Sequence, residues 1–198
     1  DIHMHIEASM STPYPFSIEL LKNGVTTIVA EPHEIANVFG VAGIKAMMLE
    51  GKNCPIDIFW SIPSSVPASS TKLETAGCEI GINEIKELAE LDNVICLGEV
   101  MNYLDIINEP DSKTNRIVKF VRENYPNYII EGHCPKLKGL DLAIFMFQGS
   151  DSDHTQNDVE GISQRIANGM FVELQDKTLV KENIDFIMKN NLYEHFCI

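Results

Sequence analysis

Positive charge is the scarcest feature of this sequence. Fifteen Lys and Arg residues face 29 Asp and Glu, leaving a net charge of -14 at pH 7 over 198 residues. A surface of that sign repels phosphate backbones and anionic lipid, which argues against nucleic acid and membrane surfaces as partners. Long apolar runs are also missing: no window approaches the ~20 uncharged residues of a membrane helix. No basic-then-apolar leader opens the sequence, so no secretory signal is read and a cytoplasmic location is expected. Paired cysteines are absent too. Cys54, Cys78, Cys96, Cys134 and Cys197 are odd in number, widely spaced and form no CxxC. They read as reduced thiols rather than disulfides. No GxGxxG or GxxxxGK[ST] loop follows an apolar run, so nothing cradles a nucleotide phosphate. Internal repeats and low-complexity segments are lacking as well.

What is present is ordinary globular composition, 44% hydrophobic and 22% charged, in a length that suits one domain. Short β-branched runs recur at 25–30, 56–60, 94–97, 128–130, 170–174 and 195–198. A weaker one lies at 149–152, and residues 1–5 read as a strand end. Helical patterns alternate with them: 15–21, stopped by Gly24, then 83–89, 113–124, 138–147, 159–168 and 180–190. The Met-rich stretch 43–49 reads as a core-facing helix. Strand-helix alternation is the pattern of a parallel sheet with crossover helices. About eight strands favour a TIM-like (β/α)8 barrel over an open doubly wound sheet. A Pro/Ser-rich loop at 63–70 follows the expected third strand, which in a barrel puts it on the active-site face.

The chemistry-bearing residues fall at the ends of these runs. His3 and His5 end the first. Glu31, His33 and Glu34 follow the second, Glu99 the fourth, His133 the fifth, and Asp153 and His154 the sixth. Barrel strand ends converge on one mouth. Side chains two apart on a strand point the same way, so His3 and His5 can reach one ion, and carboxylates added to imidazoles allow a two-metal site. Taken singly, each residue has a plainer reading. HxH is more often a surface pair, Glu99 a solvated loop carboxylate, His133 a core histidine with one hydrogen bond, and His154 a turn residue. Their joint placement favours a metal site. His195 reads as structural or surface.

Five motifs go further. Asp1-Ile2-His3-Met4-His5 resembles the DxHxH-type opening of the metal-dependent amidohydrolase superfamily. Glu31-Pro32-His33-Glu34-Ile35-Ala36-Asn37-Val38, Gly98-Glu99-Val100-Met101-Asn102, Glu131-Gly132-His133-Cys134-Pro135 and Ser152-Asp153-His154 resemble the adenine deaminase family within it. The likeness runs over nearly the whole of 1–198, which is read as one catalytic barrel. It implies two divalent ions, Mn or Fe before Zn. His3 and His5 would hold one, His133 and His154 the other, with Glu99 bridging. It implies hydrolysis of adenine to hypoxanthine and ammonia by metal-activated hydroxide, with Glu99, His33 and Glu34 as catalytic residues. Asn102 and Met101 would contact the purine base, and a homo-oligomer is expected. The family's strand-eight aspartate would follow Ile198, so the barrel is expected to be incomplete at its C-terminal end and to lack the flanking β-rich domain. Thr155 stands where the family pattern implies an acidic residue. Glu173-Leu174-Gln175-Asp176 stands in place of an arginine- and glycine-containing stretch. Two other readings stay open: hydrolysis of another cyclic amide or N-acyl group, and an inactive metal-binding fragment.

Overall fold

The computed structural model describes every residue except Ser70 and Thr71. Chain contacts divide it into two compact units, Asp1–Glu99 and Val100–Ile198.

The first unit carries α1 (Pro13–Lys22), β1 (Thr27–Ala30), α2 (His33–Gly51), β2 (Asp57–Ile62), α3 (Ile82–Ala89) and β3 (Val94–Val100, whose last residue begins the second unit). β1 pairs with β2 and β2 with β3, all parallel, as the strand-helix alternation requires. The strands bury apolar residues against the covering helices: Ile28, Ile58, Trp60, Ile62 and Leu97 are each no more than 5% exposed. α3 buries Ile85 and Leu88, and its first turn is held by the Glu84 carboxylate, which accepts from the Gly81 N–H at 2.9 Å. The expected Met-rich helix lies within α2, where Ile44, Met47 and Met48 face the core. α2 is interrupted at Gly40, whose φ of 58° suits glycine and whose close neighbour is the Cys78 side chain. The opening residues differ from expectation. They form a single parallel bridge, Met4 with Ala30, rather than a strand. The Met4 N–H donates to Val29 and the Glu31 N–H to the Met4 carbonyl, so the segment still runs beside β1.

The second unit carries α4 (Tyr103–Asn108), α5 (Lys113–Asn124), β4 (Ile129–Gly132), α6 (Gly139–Gln148), β5 (Ser152–Asp153), α7 (Val159–Ala167), β6 (Phe171–Glu173), α8 (Lys181–Lys189) and β7 (Phe196–Cys197). β5, β6 and β7 are parallel and in sequence order. Val172 and Leu174 pack with Ile162 and Ile187 into a core between strand and helices. Helix starts follow their caps. Ser112 accepts from the Asn115 N–H at 3.1 Å, and Asp158 from the Gly161 N–H at 2.7 Å. α4 was not legible as a helix. It is one and a half turns long, capped by Asn102 and tied down by the buried Asn115 amide, which donates to the carbonyls of Asp105, Ile106 and Glu109. β5 is two residues long and begins where the expected weak strand ends, which puts His154 directly after it.

Candidate metal and catalytic site

In the first unit β1, β2 and β3 deliver their C-terminal ends to one cluster. His3 and His5 stand beside β1, and their Nε2 atoms lie 3.0 Å apart. Glu99, at the end of β3 and 2% exposed, places Oε1 3.9 Å from His3 Nε2 and 3.6 Å from His5 Nε2. The same oxygen is 3.3 Å from His33 Nδ1. His5 Nδ1 is 3.0 Å from the Glu31 carbonyl, which can only accept, so Nδ1 donates there and Nε2 is the nitrogen left to face a metal. That is how metal-binding histidines are commonly oriented. Donors 3–4 Å apart can share an ion with bonds of about 2.0–2.2 Å. His3, His5 and Glu99 form such a group, and His5, His33 and Glu34 form another.

Buried polar atoms support the same reading. Glu31 Oε1, His33 Nδ1 and Glu34 Oε2 lie out of solvent and make no hydrogen bond of normal geometry among the described residues. Polar atoms in that state cost about 1–3 kcal/mol each, and more if charged. A cation beside these acceptor-rich groups removes much of that cost, so the donor set fits divalent metal.

The electrostatics follow from crowding. Burial disfavours the charged His5 ring, but Glu34, Glu99 and Glu31 outweigh it and carry the pKa to about 9. His33 is likewise raised: burial opposes its charge, and Glu31, Glu34 and Glu99 overcome it. Burial pushes Glu34 upward, yet the facing His5 and His33 rings bring it below the usual carboxylate range. For Glu7, burial dominates and raises the carboxyl, while its Oε1 accepts from the Ile35 N–H at 3.1 Å at the start of α2. That bond fixes the helix end that carries His33 and Glu34.

Residues without an assigned role in the sequence do much of the positioning. Glu31 is 1% exposed and accepts a short hydrogen bond from the Ser61 hydroxyl on β2. Its carboxylate occupies the space a side chain at Gly98 would fill, so the glycine before Glu99 is a packing requirement. Ser64 and Ser65 donate to the Glu99 carbonyl at 2.7 and 3.1 Å. The Pro/Ser-rich loop therefore reaches the site, apart from Ser70, which lies outside the described residues.

In the second unit β4 and β5 present His133 and His154. His133 Nδ1 lies 3.0 Å from His154 Nε2, with the ring centroids 5.0 Å apart. Gln175, in the stretch that departs from the family pattern, donates to the His154 carbonyl at 2.6 Å. Thr155, the other departure, is buried and donates to Asp153 at 2.7 Å. Burial pushes the Asp153 carboxyl up, but Arg165, Thr155 and the Cys134 N–H hold it well below the usual range. Asn102 Nδ2 donates to Asp105 Oδ2 at 2.7 Å and its Oδ1 accepts from the Asp105 N–H. An amide offers four hydrogen-bonding positions, and the cap uses two. Met101 is half-buried beside it, and His195 is exposed, as expected.

A model of the amidohydrolase family matches residues 1–194. The chain is 52% identical over its whole length to an adenine deaminase of Clostridium perfringens, of which it covers 34%. It is 54% identical over 197 residues to adenine deaminase 2 of Shouchella clausii, again covering 34%, and 42% identical over 181 residues to an adenine deaminase of Methanocaldococcus jannaschii. The chain thus spans about a third of the length of the curated relatives it matches. Among solved structures, a hydrolase TatD family protein from Entamoeba histolytica aligns with 94% of this chain and 68% of its own, at a TM-score of 0.61 and 14% identity. That likeness concerns the fold, and with the parallel strands above it gives the α/β class of an incomplete TIM-like barrel. No helix among the described residues is long and apolar enough to cross a membrane.

Proposed function

The chain belongs to the amidohydrolase family, and from that premise we propose that the protein carrying it deaminates adenine hydrolytically, giving hypoxanthine and ammonia. Family membership implies divalent metal ions, and we propose a pair of them, Mn or Fe in preference to Zn. His3 and His5 would hold one and His133 and His154 the other, with the Glu99 carboxylate between. When bound, such ions make water acidic enough to serve as a nucleophile near neutral pH.

The observation that carries the reading is the meeting of His3, His5, His33 and Glu99 at one end of the parallel β1–β3 sheet. The chain's own groups then have distinct work. His33, beside Glu99 at the mouth of the site, donates to a nitrogen of the purine ring and draws electron density from the carbon that bears the amino group. Glu34, held ionised, accepts a proton from water and passes it to the departing amine. Asn102 offers the two amide positions α4 leaves over to the purine edge, with Met101 packing against the base. A purine base is thus the small-molecule partner, and a cytoplasmic homo-oligomer is the proposed setting.

The test is ammonia release by the intact protein supplied with Mn or Fe, on adenine and on a cyclic amide such as dihydrouracil in parallel. Turnover of adenine, lost in His33→Asn, supports the reading. Turnover of the cyclic amide alone replaces it with another amidohydrolase activity, and no turnover of either with two metals bound refutes both.

A further inference from the structure

His133 and His154 of the second unit both adjoin one fully buried ion pair. Cys134 follows His133, Asp153 precedes His154, and Asp153 and Arg165 have fully buried side chains. Asp153 Oδ1 accepts from the Cys134 N–H at 3.1 Å and the Thr155 N–H at 3.4 Å. Its Oδ2 accepts from Arg165 Nε at 2.5 Å, the Thr155 hydroxyl at 2.7 Å and Asn157 Nδ2 at 3.1 Å. Arg165 spends its remaining donors on backbone. One terminal nitrogen reaches the Cys134 carbonyl at 2.8 Å, and the other reaches the carbonyls of Leu137 and Gly161, each at 3.3 Å. The pair therefore grips Cys134 by its N–H and its C=O at once. Gly132, on the other side of His133, has no room for a side chain because Ser150 and Ser152 pack directly against it.

A buried ion pair is seldom retained for stability, since apolar residues of similar volume often serve as well or better. What a fully satisfied pair does supply is fixed geometry. Metal ligands must be held within about 0.5 Å of their places, and His133 Nδ1 and His154 Nε2 are 3.0 Å apart with a loop and a whole helix between them in sequence. Asp153 is itself spent as a metal ligand, because five donors already occupy its two oxygens.

We propose that Asp153 and Arg165 are positioning residues for the second metal: their ion pair clamps Cys134 to the 153–157 loop and so sets the separation of the His133 and His154 rings. This rests on the reading of those two histidines as ligands. Arg165 comes from the last turn of α7 and carries no sequence signal of such a role, since an arginine on an amphipathic helix reads as a solvated face.

The test is metal stoichiometry and affinity in the intact protein, with melting temperature measured alongside. Arg165→Lys keeps the charge but cannot reach Cys134, Leu137 and Gly161 together. Asp153→Leu with Arg165→Met replaces the pair by apolar bulk. Thr155→Val removes one bond of the network and keeps the ion pair, so it reports even if the double variant fails to fold. The proposal expects the folded variants to retain the metal held by His3 and His5 while the second binds about 10- to 100-fold more weakly. Arg165→Lys should lie between the double variant and the parent. Folded variants that hold both metals with parental affinity overturn the clamp. His133→Ala with His154→Ala serves as reference. If that variant keeps two metals, the ligand reading itself fails, independently of the clamp.

Discussion

The packing of Glu31 against Gly98 makes a quantitative demand on the first unit. A Cβ at position 98 would lie 2.5 Å from the Glu31 carboxyl carbon and 2.8 Å from the Ser61 hydroxyl oxygen, with one carboxylate oxygen closer still. The backbone at Gly98 is not in the left-handed region, so Gly98→Ala costs nothing in φ and the whole effect is steric. Forcing a methyl into a packed interior costs about 1–3 kcal/mol. Glu31 must also leave Ser61, and a hydrogen bond to a charged group is worth about 1.5–3 kcal/mol. The smaller chain entropy of unfolded alanine returns about 0.4–1 kcal/mol. The net expectation is a loss of about 2–5 kcal/mol, read from urea unfolding of the intact protein followed by circular dichroism. Glu31→Ala in the same background makes room for the methyl, so the double variant should be more stable than the two single losses added together. A Gly98→Ala protein within about 0.5 kcal/mol of the parent, or strictly additive losses, would show that Glu31 does not sit where this account needs it.

Three further outcomes follow from the same structure. Replacing His3 and His5 together by Ala should lower the metal content of protein grown with added Mn, as read by elemental analysis; unchanged stoichiometry removes the HxH pair from the site. Thr155→Val should destabilise the second unit by about 1 kcal/mol, because the hydroxyl bond to buried Asp153 is lost; a stability equal to the parent's would mean Asp153 does not depend on it. Cys134 is fully buried and burial holds its thiol far above the usual range, so iodoacetamide at pH 8 should label partly exposed Cys54 and Cys78 well before it. Early labelling of Cys134 would contradict the packing around Arg165.

The alternation of strands and helices was legible because period-two and period-3.6 patterns are local. The seven strands among the described residues lie at or next to the apolar runs. The opening segment was read as a strand because His3 and His5 share the spacing of one, but pairing needs a partner's geometry, and only Met4 forms a bridge. The histidines and Glu99 were legible because they follow apolar runs, whereas the need for a glycine at 98 shows only in the packing of Glu31. Glu31 stood out by position, yet its burial depends on Ser61 from another strand. Arg165 left no trace at all: its partners lie between 4 and 31 residues away in sequence, and only folding brings them around it. The departures at Thr155 and Gln175 looked damaging to the family pattern. In the fold one belongs to the Asp153 network and the other holds the His154 backbone.

The most direct test of the account is Glu99→Gln in the intact protein, with metals per chain and ammonia release from adenine measured on the same preparation. On the proposed reading, an amide of the same shape would remove the negative charge that holds two mutually repelling cations together. Loss of metal together with a fall in turnover of about a hundredfold or more is the expected result. A Glu99→Gln protein that keeps two metals and near-parental turnover would contradict it.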